Sequence, residues 1–124
     1  MENKKFAREL ENRTKRFAVQ ILSLSKSLPN SIEGSVVKSQ LTKSGTSIGA
    51  NYREANRSRS FADFKNRIRI CESETSETQY WLEVLMEVKW LSEAKVKKHH
   101  QECSELLAKF TSIITKTYKN RMNK

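Results

Sequence analysis

The sequence predicts an all-α protein that folds as one antiparallel, up-down four-helix bundle over residues 1–124. Three observations predict this fold class. The chain has 124 residues, which suits a single domain. It contains only three glycines and one proline, too few for a sandwich of short strands joined by tight turns. Its apolar residues recur at helical spacing in four long stretches, and short connections between long helices make neighbouring helices antiparallel.

Breaks in the apolar pattern give the boundaries of the four helices. We predict them at residues 4–28, 34–56, 60–90 and 92–119. Pro29 disfavours helical geometry at Leu28 and therefore ends the first helix. Ser60 and Ser92 are suitable N-cap residues for the third and fourth helices, because a serine hydroxyl accepts a hydrogen bond from a free backbone N–H.

The second helix has the weakest apolar pattern, and it contains Gly45 and Gly49. Each glycine costs a helix up to about 1 kcal/mol relative to alanine. Close packing against a neighbouring helix is the simplest reason to keep glycine at both positions. We therefore expect the second helix to approach another helix closely at these two residues.

The third helix is apolar around most of its circumference between Tyr80 and Leu91. A helix in a bundle buries about one apolar stripe, so the remaining apolar surface must meet something else. Self-association is the leading interpretation, and an aromatic cap over a loop is the alternative. The predicted homo-oligomer interface consists of Tyr80, Trp81, Val84, Val88 and Trp90.

The charge is strongly basic, with 24 Lys and Arg against 14 Asp and Glu, a net charge of +10. Residues 61–91 are the exception, with four basic and six acidic residues. Lys and Arg contact phosphates without reading base sequence, so nucleic acid is the expected partner. The alternative is a basic surface that serves solubility alone. The predicted phosphate contacts are Arg13, Lys15, Arg16, Arg53, Arg57, Arg59, Lys95, Lys97, Lys98, Lys116, Lys119 and Arg121.

Neither an enzyme nor a metal or cofactor site is predicted. His99 and His100 are adjacent and point about 100° apart around a helix, so they do not easily share one ion. The chain has no recognisable nucleophile motif and no P-loop. It also has neither a membrane-spanning stretch nor a secretory signal, so we expect no membrane, a cytoplasmic location and reduced thiols at Cys71 and Cys103.

Two segments carry a family resemblance. Residues 40–55, QLTKSGTSIGANYREA, form the first, and Asp63-Phe64 followed by residues 74–83, ETSETQYWLE, forms the second. Both resemble signatures of the bacterial four-helix-bundle proteins first noted inside 23S rRNA intervening sequences. Thr75 departs from the alanine common in that family.

This resemblance implies a bundle that assembles into a ring, with a pentamer as the expected form. It also implies kinship with the accessory protein of diversity-generating retroelements, a basic pentamer that binds nucleic acid and a reverse transcriptase. The expected partners are further copies of the chain and RNA in preference to DNA, with a reverse transcriptase or ribosomal RNA as specific candidates. A protein-interaction scaffold without nucleic-acid binding is the alternative function.

Four polar residues match the family signatures: Asn51, Glu54, Glu74 and Glu77. The members of each helix pair lie three residues apart and share one face. We interpret them as a polar network inside the bundle that fixes helix register, with Arg53 or Arg69 as a partner. Paired carboxylates also suit metal or acid–base chemistry, but a di-iron bundle requires Glu-x-x-His pairs, which this sequence lacks.

Overall fold

A computed structural model describes residues 4–122, with side chains described for residues 4–117. It contains four helices: α1 Lys4–Lys26, α2 Ile32–Ala55, α3 Phe61–Val88 and α4 Glu93–Met122. No strand occurs within residues 4–122, so the predicted all-α class is confirmed. Helix α2 begins two residues earlier than predicted, and α4 ends three residues later.

Serine side chains start the later helices. The Ser31 hydroxyl accepts a hydrogen bond from the Gly34 N–H at 2.9 Å, and the Ser60 hydroxyl accepts one from the Asp63 N–H at 3.1 Å. Ser92 accepts from the Lys95 N–H at 3.4 Å. These bonds satisfy donors that have no partner within their own helix. The N-cap roles predicted for Ser60 and Ser92 are therefore confirmed.

The helices form an up-down bundle in which each helix packs on the next one along the chain. Helix α1 also closes the bundle against α4, although these two approach one another less than the consecutive pairs do. The diagonal pairs, α1 with α3 and α2 with α4, have no close backbone approach in the described residues. This arrangement confirms the predicted four-helix bundle. None of the helices within residues 4–122 is both long and apolar enough to cross a membrane.

Apolar side chains from all four helices meet in one core cluster. Tyr52 of α2 and Phe110 of α4 meet across the centre, with ring centroids 5.6 Å apart and ring planes inclined by 65°. Both side chains are fully buried. This edge-to-face contact joins two helices whose backbones do not approach closely, so it links the diagonal of the bundle through side chains.

Gly45 and Gly49 lie where α2 packs closely on α1. A Cβ atom on Gly45 would come within 2.7 Å of the Ile21 Cγ2 atom and within 3.1 Å of two further Ile21 carbons. A Cβ atom on Gly49 would lie 3.0 Å from the Thr14 Oγ1 atom. The expectation of close helix packing at these glycines is confirmed.

The Gly45→Ala substitution should lower the free energy of unfolding by about 1–2 kcal/mol. Overpacking a core costs about 1–3 kcal/mol, and the higher helix propensity of alanine offsets up to about 1 kcal/mol of it. Gly49→Ala is the matched control and should change stability less, because its Cβ contacts are longer. Urea unfolding of the two variants measures the difference, and equal stabilities would contradict the packing argument.

Candidate nucleic-acid interface

Antiparallel packing brings three distant parts of the chain to one end of the bundle. The Asn56 amide donates to a Glu11 carboxylate oxygen at 2.9 Å, so the end of α2 lies beside the start of α1. The Lys109 Nζ atom lies 5.8 Å from the centre of the Phe6 ring, so the second half of α4 runs to the same end. The α2–α3 turn and the start of α3 complete this end.

We call this region the basic end and define it as residues 4–11, 53–69 and 109–117. It contains 11 Lys and Arg against four Asp and Glu, a net charge of +7 out of the +10 of the whole chain. Its cations are Lys4, Lys5, Arg8, Arg53, Arg57, Arg59, Lys65, Arg67, Arg69, Lys109 and Lys116. Most of the net charge is therefore concentrated on one end of the molecule.

The α2–α3 turn holds its arginines on an ordered backbone. The N–H of Arg57 donates to the carbonyl of Glu54 at 3.1 Å, and Ser60 then caps α3. Arg53, Arg57 and Arg59 are exposed. Because these turn bonds fix the backbone, binding an anion there loses less conformational entropy than binding to a flexible loop would.

Four of the predicted phosphate contacts have described side chains and lie at the basic end: Arg53, Arg57, Arg59 and Lys116. Lys119 and Arg121 lie further along α4, but their side chains fall outside the described set. Lys95, Lys97 and Lys98 are exposed at the opposite end, in the first turns of α4. The structure therefore divides the predicted set between the two ends of the bundle, with Lys15 and Arg16 exposed part of the way along α1.

Arg13 requires a correction. Its guanidinium donates to both carboxylate oxygens of Glu102, at 2.7 and 2.6 Å, and to Glu105 at 2.7 Å. These carboxylates neutralise the arginine locally and tie α1 to α4, which are the adjacent helices with the fewest close backbone approaches. The predicted phosphate contact at Arg13 is therefore replaced by a structural role.

The ion pairs shift the ionisation of these groups. The hydrogen bond to Glu102 is the main cause of a raised pKa at Arg13. Hydrogen bonds from Gln101 and then Arg13 lower the pKa of Glu105. Since its folded pKa is below the ordinary value, the contribution of Glu105 to stability is present at neutral pH and is lost as the pH falls through the lowered pKa.

The predicted polar network inside the bundle is also corrected. Glu54 and Glu77 are exposed, and Glu77 accepts a hydrogen bond from the Trp81 indole N–H of its own helix at 3.3 Å. The Asn51 amide donates to the Ser47 carbonyl at 2.9 Å. Within residues 4–117, no hydrogen bond or ion pair joins any two of Asn51, Glu54, Glu74 and Glu77. Three-residue spacing puts such side chains on one face, and here one member of each pair, Asn51 or Glu74, is half-buried while Glu54 and Glu77 are exposed.

Among residues 4–117, the core contains buried polar side chains of Ser and Thr, which carry hydroxyl groups. They belong to Thr14, Ser25, Ser44, Thr75 and Thr78. The Thr78 hydroxyl donates to Ser44 across α2 and α3 at 2.9 Å. Small hydroxyls can satisfy their donors on the carbonyls of their own helix, as Thr75 does on Cys71 at 2.6 Å. Carboxylates would need charged partners at the same positions, which makes their burial more costly.

Helix α3 exposes part of the predicted oligomer interface. Tyr80 is 57% exposed and Val88 is 41% exposed, and both line an open groove with Val84. Trp81 and Trp90 are half-buried and pack against the core cluster. The two tryptophans therefore belong partly to the bundle itself, and Tyr80, Val84 and Val88 provide most of the available apolar surface.

The two cysteines and the histidines offer little reactive chemistry. Burial raises the pKa of the Cys71 and Cys103 thiols to about 12, so both are protonated at neutral pH. Burial, followed by the charges of Lys98 and Lys95, lowers the pKa of His99. Among the described residues, no group of three or more His, Cys, Asp or Glu side chains is placed to hold a metal ion.

The chain is similar to known proteins in both sequence and fold. The sequence profile of the 23S rRNA-intervening sequence protein family matches residues 8–112. A crystal structure of a protein with unknown function from the S23 ribosomal protein family of Bacteroides thetaiotaomicron is 37% identical in sequence, with a TM-score of 0.79. That match covers 85% of this chain and 97% of the other. The curated proteins give no match.

Proposed function

The chain belongs to the 23S rRNA-intervening sequence protein family, and from this premise we propose that it is a non-enzymatic accessory protein that binds RNA through its basic end. The carrying observation is the concentration of a net charge of +7 at one end of the bundle. Many phosphates can approach such a surface at once, and each contact releases condensed counterions. RNA is preferred to DNA as the partner, following the family's association with ribosomal RNA genes.

The expected mode of binding is recognition of the phosphate backbone. The described fold contains no helix-turn-helix, zinc finger or base-stacking sheet among residues 4–122. Lys and Arg side chains on a convex bundle end contact phosphates whatever the base sequence. Discrimination among RNAs would then come from shape and from a protein partner, for which a reverse transcriptase is one candidate.

Self-association forms part of the proposal. The exposed apolar residues of α3 support an interface between copies, and the family resemblance favours a closed ring with five members. A ring would repeat the basic end several times within reach of one RNA. Linked binding sites raise overall affinity without any new contact, so weak phosphate contacts would combine into firm binding.

Salt dependence of RNA binding tests the proposal. Affinity for a labelled, structured RNA should fall by roughly 10³-fold or more between about 50 and about 200 mM salt if at least six phosphates are contacted. Fluorescence anisotropy at both salt concentrations gives the two dissociation constants. Absence of binding at the lower salt concentration, or a dissociation constant that is the same at both salt concentrations, would contradict the proposal.

A protein-interaction scaffold is the second candidate, and the α3 surface favours it. Residues 72–88 contain five glutamates and no Lys or Arg, beside the exposed Tyr80 and Val88. Such a surface suits a basic, apolar protein partner. Glu substitutions at Arg57 and Arg59 separate the two functions, since they should weaken RNA binding and leave a partner bound to α3 unaffected.

A further inference from the structure

Two exposed apolar faces lie on opposite sides of the bundle. On α1, Val19 is 61% exposed and Leu22 is 48% exposed, and on α3 Tyr80 is 57% exposed. Helices α1 and α3 are diagonal neighbours without close backbone approach, so their outer faces point away from each other. The two faces of a single chain therefore cannot contact each other, and only another molecule can cover them.

The two faces carry opposite charge. Residues 15–26 of α1 contain three basic residues, Lys15, Arg16 and Lys26, and no acidic residue. Residues 72–88 of α3 contain five glutamates and no basic residue. An apolar centre with flanking charges of opposite sign on the two surfaces provides both the burial and the orientation that an interface needs.

The faces also lie at the same height along the bundle. Ile21 packs against Gly45, and the neighbouring Ser44 accepts the hydrogen bond from Thr78, so Ile21 and Thr78 are at about one level. Leu22 follows Ile21 by one residue, and Tyr80 follows Thr78 by two. Since α1 and α3 run in the same direction and rise about 1.5 Å per residue, and Ser44 lies one residue from Gly45, Leu22 and Tyr80 differ in height by only about 3 Å.

We infer that the α1 face of one copy packs against the α3 face of the next copy, side by side and parallel, with Leu22 beside Tyr80. This inference rests on the self-association in the proposed function and specifies its surfaces. The contact joins two different surfaces, so it leaves one face free on each end copy and continues from copy to copy. It closes a ring when each contact turns the next copy by a fixed angle, about 72° for five members. Because the copies are parallel, all the basic ends lie on one rim.

Engineered cysteines test the pairing directly. The Leu22→Cys and Tyr80→Cys variants are each expressed alone, and in a third sample the two are co-expressed. All three samples are mildly oxidised and analysed by gel electrophoresis without reductant. The native Cys71 and Cys103 are buried and contribute no background. We expect covalent dimers from the co-expressed pair and none from either variant alone. A dimer formed by one variant alone, or no dimer from the pair, would overturn the inference.

Charge exchange gives a second measurement that does not depend on cysteine chemistry. Lys26→Glu and Glu87→Lys should each reduce the mass of the assembly in light scattering, and the double variant should restore it. Failure of the double variant to restore the mass would overturn the pairing. RNA binding is measured on the same samples, so loss of the interface and loss of RNA binding are observed separately.

Discussion

Replacing Arg53, Arg57 and Arg59 by glutamate should weaken RNA binding on the order of 100-fold at about 0.15 M salt. Each phosphate contact supplies about fourfold in affinity at that salt concentration through counterion release, so three contacts supply about 60-fold. Reversed charges then repel the phosphates and add to the loss. The salt dependence of the remaining binding should also become shallower, because fewer counterions are released.

The opposite end of the bundle provides a matched control. Replacing Lys95, Lys97 and Lys98 by glutamate changes the formal net charge of the chain by the same six units, from +10 to +4. If RNA binds at the basic end, this control should lose less than about tenfold, since distant surface charges are screened by salt. Equal losses in the two variants would show that overall charge, and not the basic end, controls binding.

Folding must be checked in both variants, because the substitutions affect helix ends differently. Arg53 lies in the last turn of α2, where a cation interacts favourably with the helix dipole. Its replacement by glutamate costs about 0.3–1 kcal/mol, whereas glutamate in the first turns of α4 is favourable. Thermal unfolding of each protein separates a small loss of stability from a loss of RNA affinity.

The fold followed from the sequence because the apolar periodicity is strong in three of the four helices. Ser44, Thr75 and Thr78 occupy positions of the apolar stripes, and all three are buried. Their small hydroxyls are satisfied locally, so they fit the same periodicity as leucine or valine. Gly45 and Gly49 were interpretable for a related reason, since glycine inside a helix usually marks a close approach.

The basic end was harder to predict because its residues are far apart in the sequence. Arg8, Arg57 and Lys116 can be assigned to one end of the bundle only when the direction of every helix is known. The up-down topology nevertheless indicates which cations lie together, since it places the starts of α1 and α3 at the same end as the ends of α2 and α4. Grouping cations by their position in the sequence therefore mixes Lys95, Lys97 and Lys98 with cations at the other end.

Arg13 and Glu54 show a different kind of limit. Spacing along one helix determines which side chains share a face, but it does not determine how that face is rotated relative to the neighbouring helix. Arg13 meets Glu102 only because α1 and α4 present those faces to one another. Glu54 is exposed because its face turns away from the core. Both outcomes depend on packing angles that the sequence pattern leaves open.

The Phe110→Ala substitution should destabilise the bundle by about 3–5 kcal/mol. The side chain is fully buried, and its removal leaves a cavity beside Tyr52 as well as removing apolar surface from the core. Domains of this kind are stable by only about 5–15 kcal/mol, so a large share of the total would be lost. The melting temperature should fall by about 12–20 °C, at about 4 °C for each kcal/mol.

Two further variants identify the cause of that loss. Phe110→Leu retains most of the apolar volume and removes the edge-to-face contact, so it should cost about 1–2 kcal/mol. Ile70→Ala removes an aliphatic side chain that is 44% exposed on α3 and should cost less than about 1 kcal/mol. All three are compared by urea unfolding at one protein concentration, because self-association makes stability depend on concentration. A Phe110→Ala variant no less stable than Ile70→Ala would mean that the contact across the diagonal does not hold the bundle together.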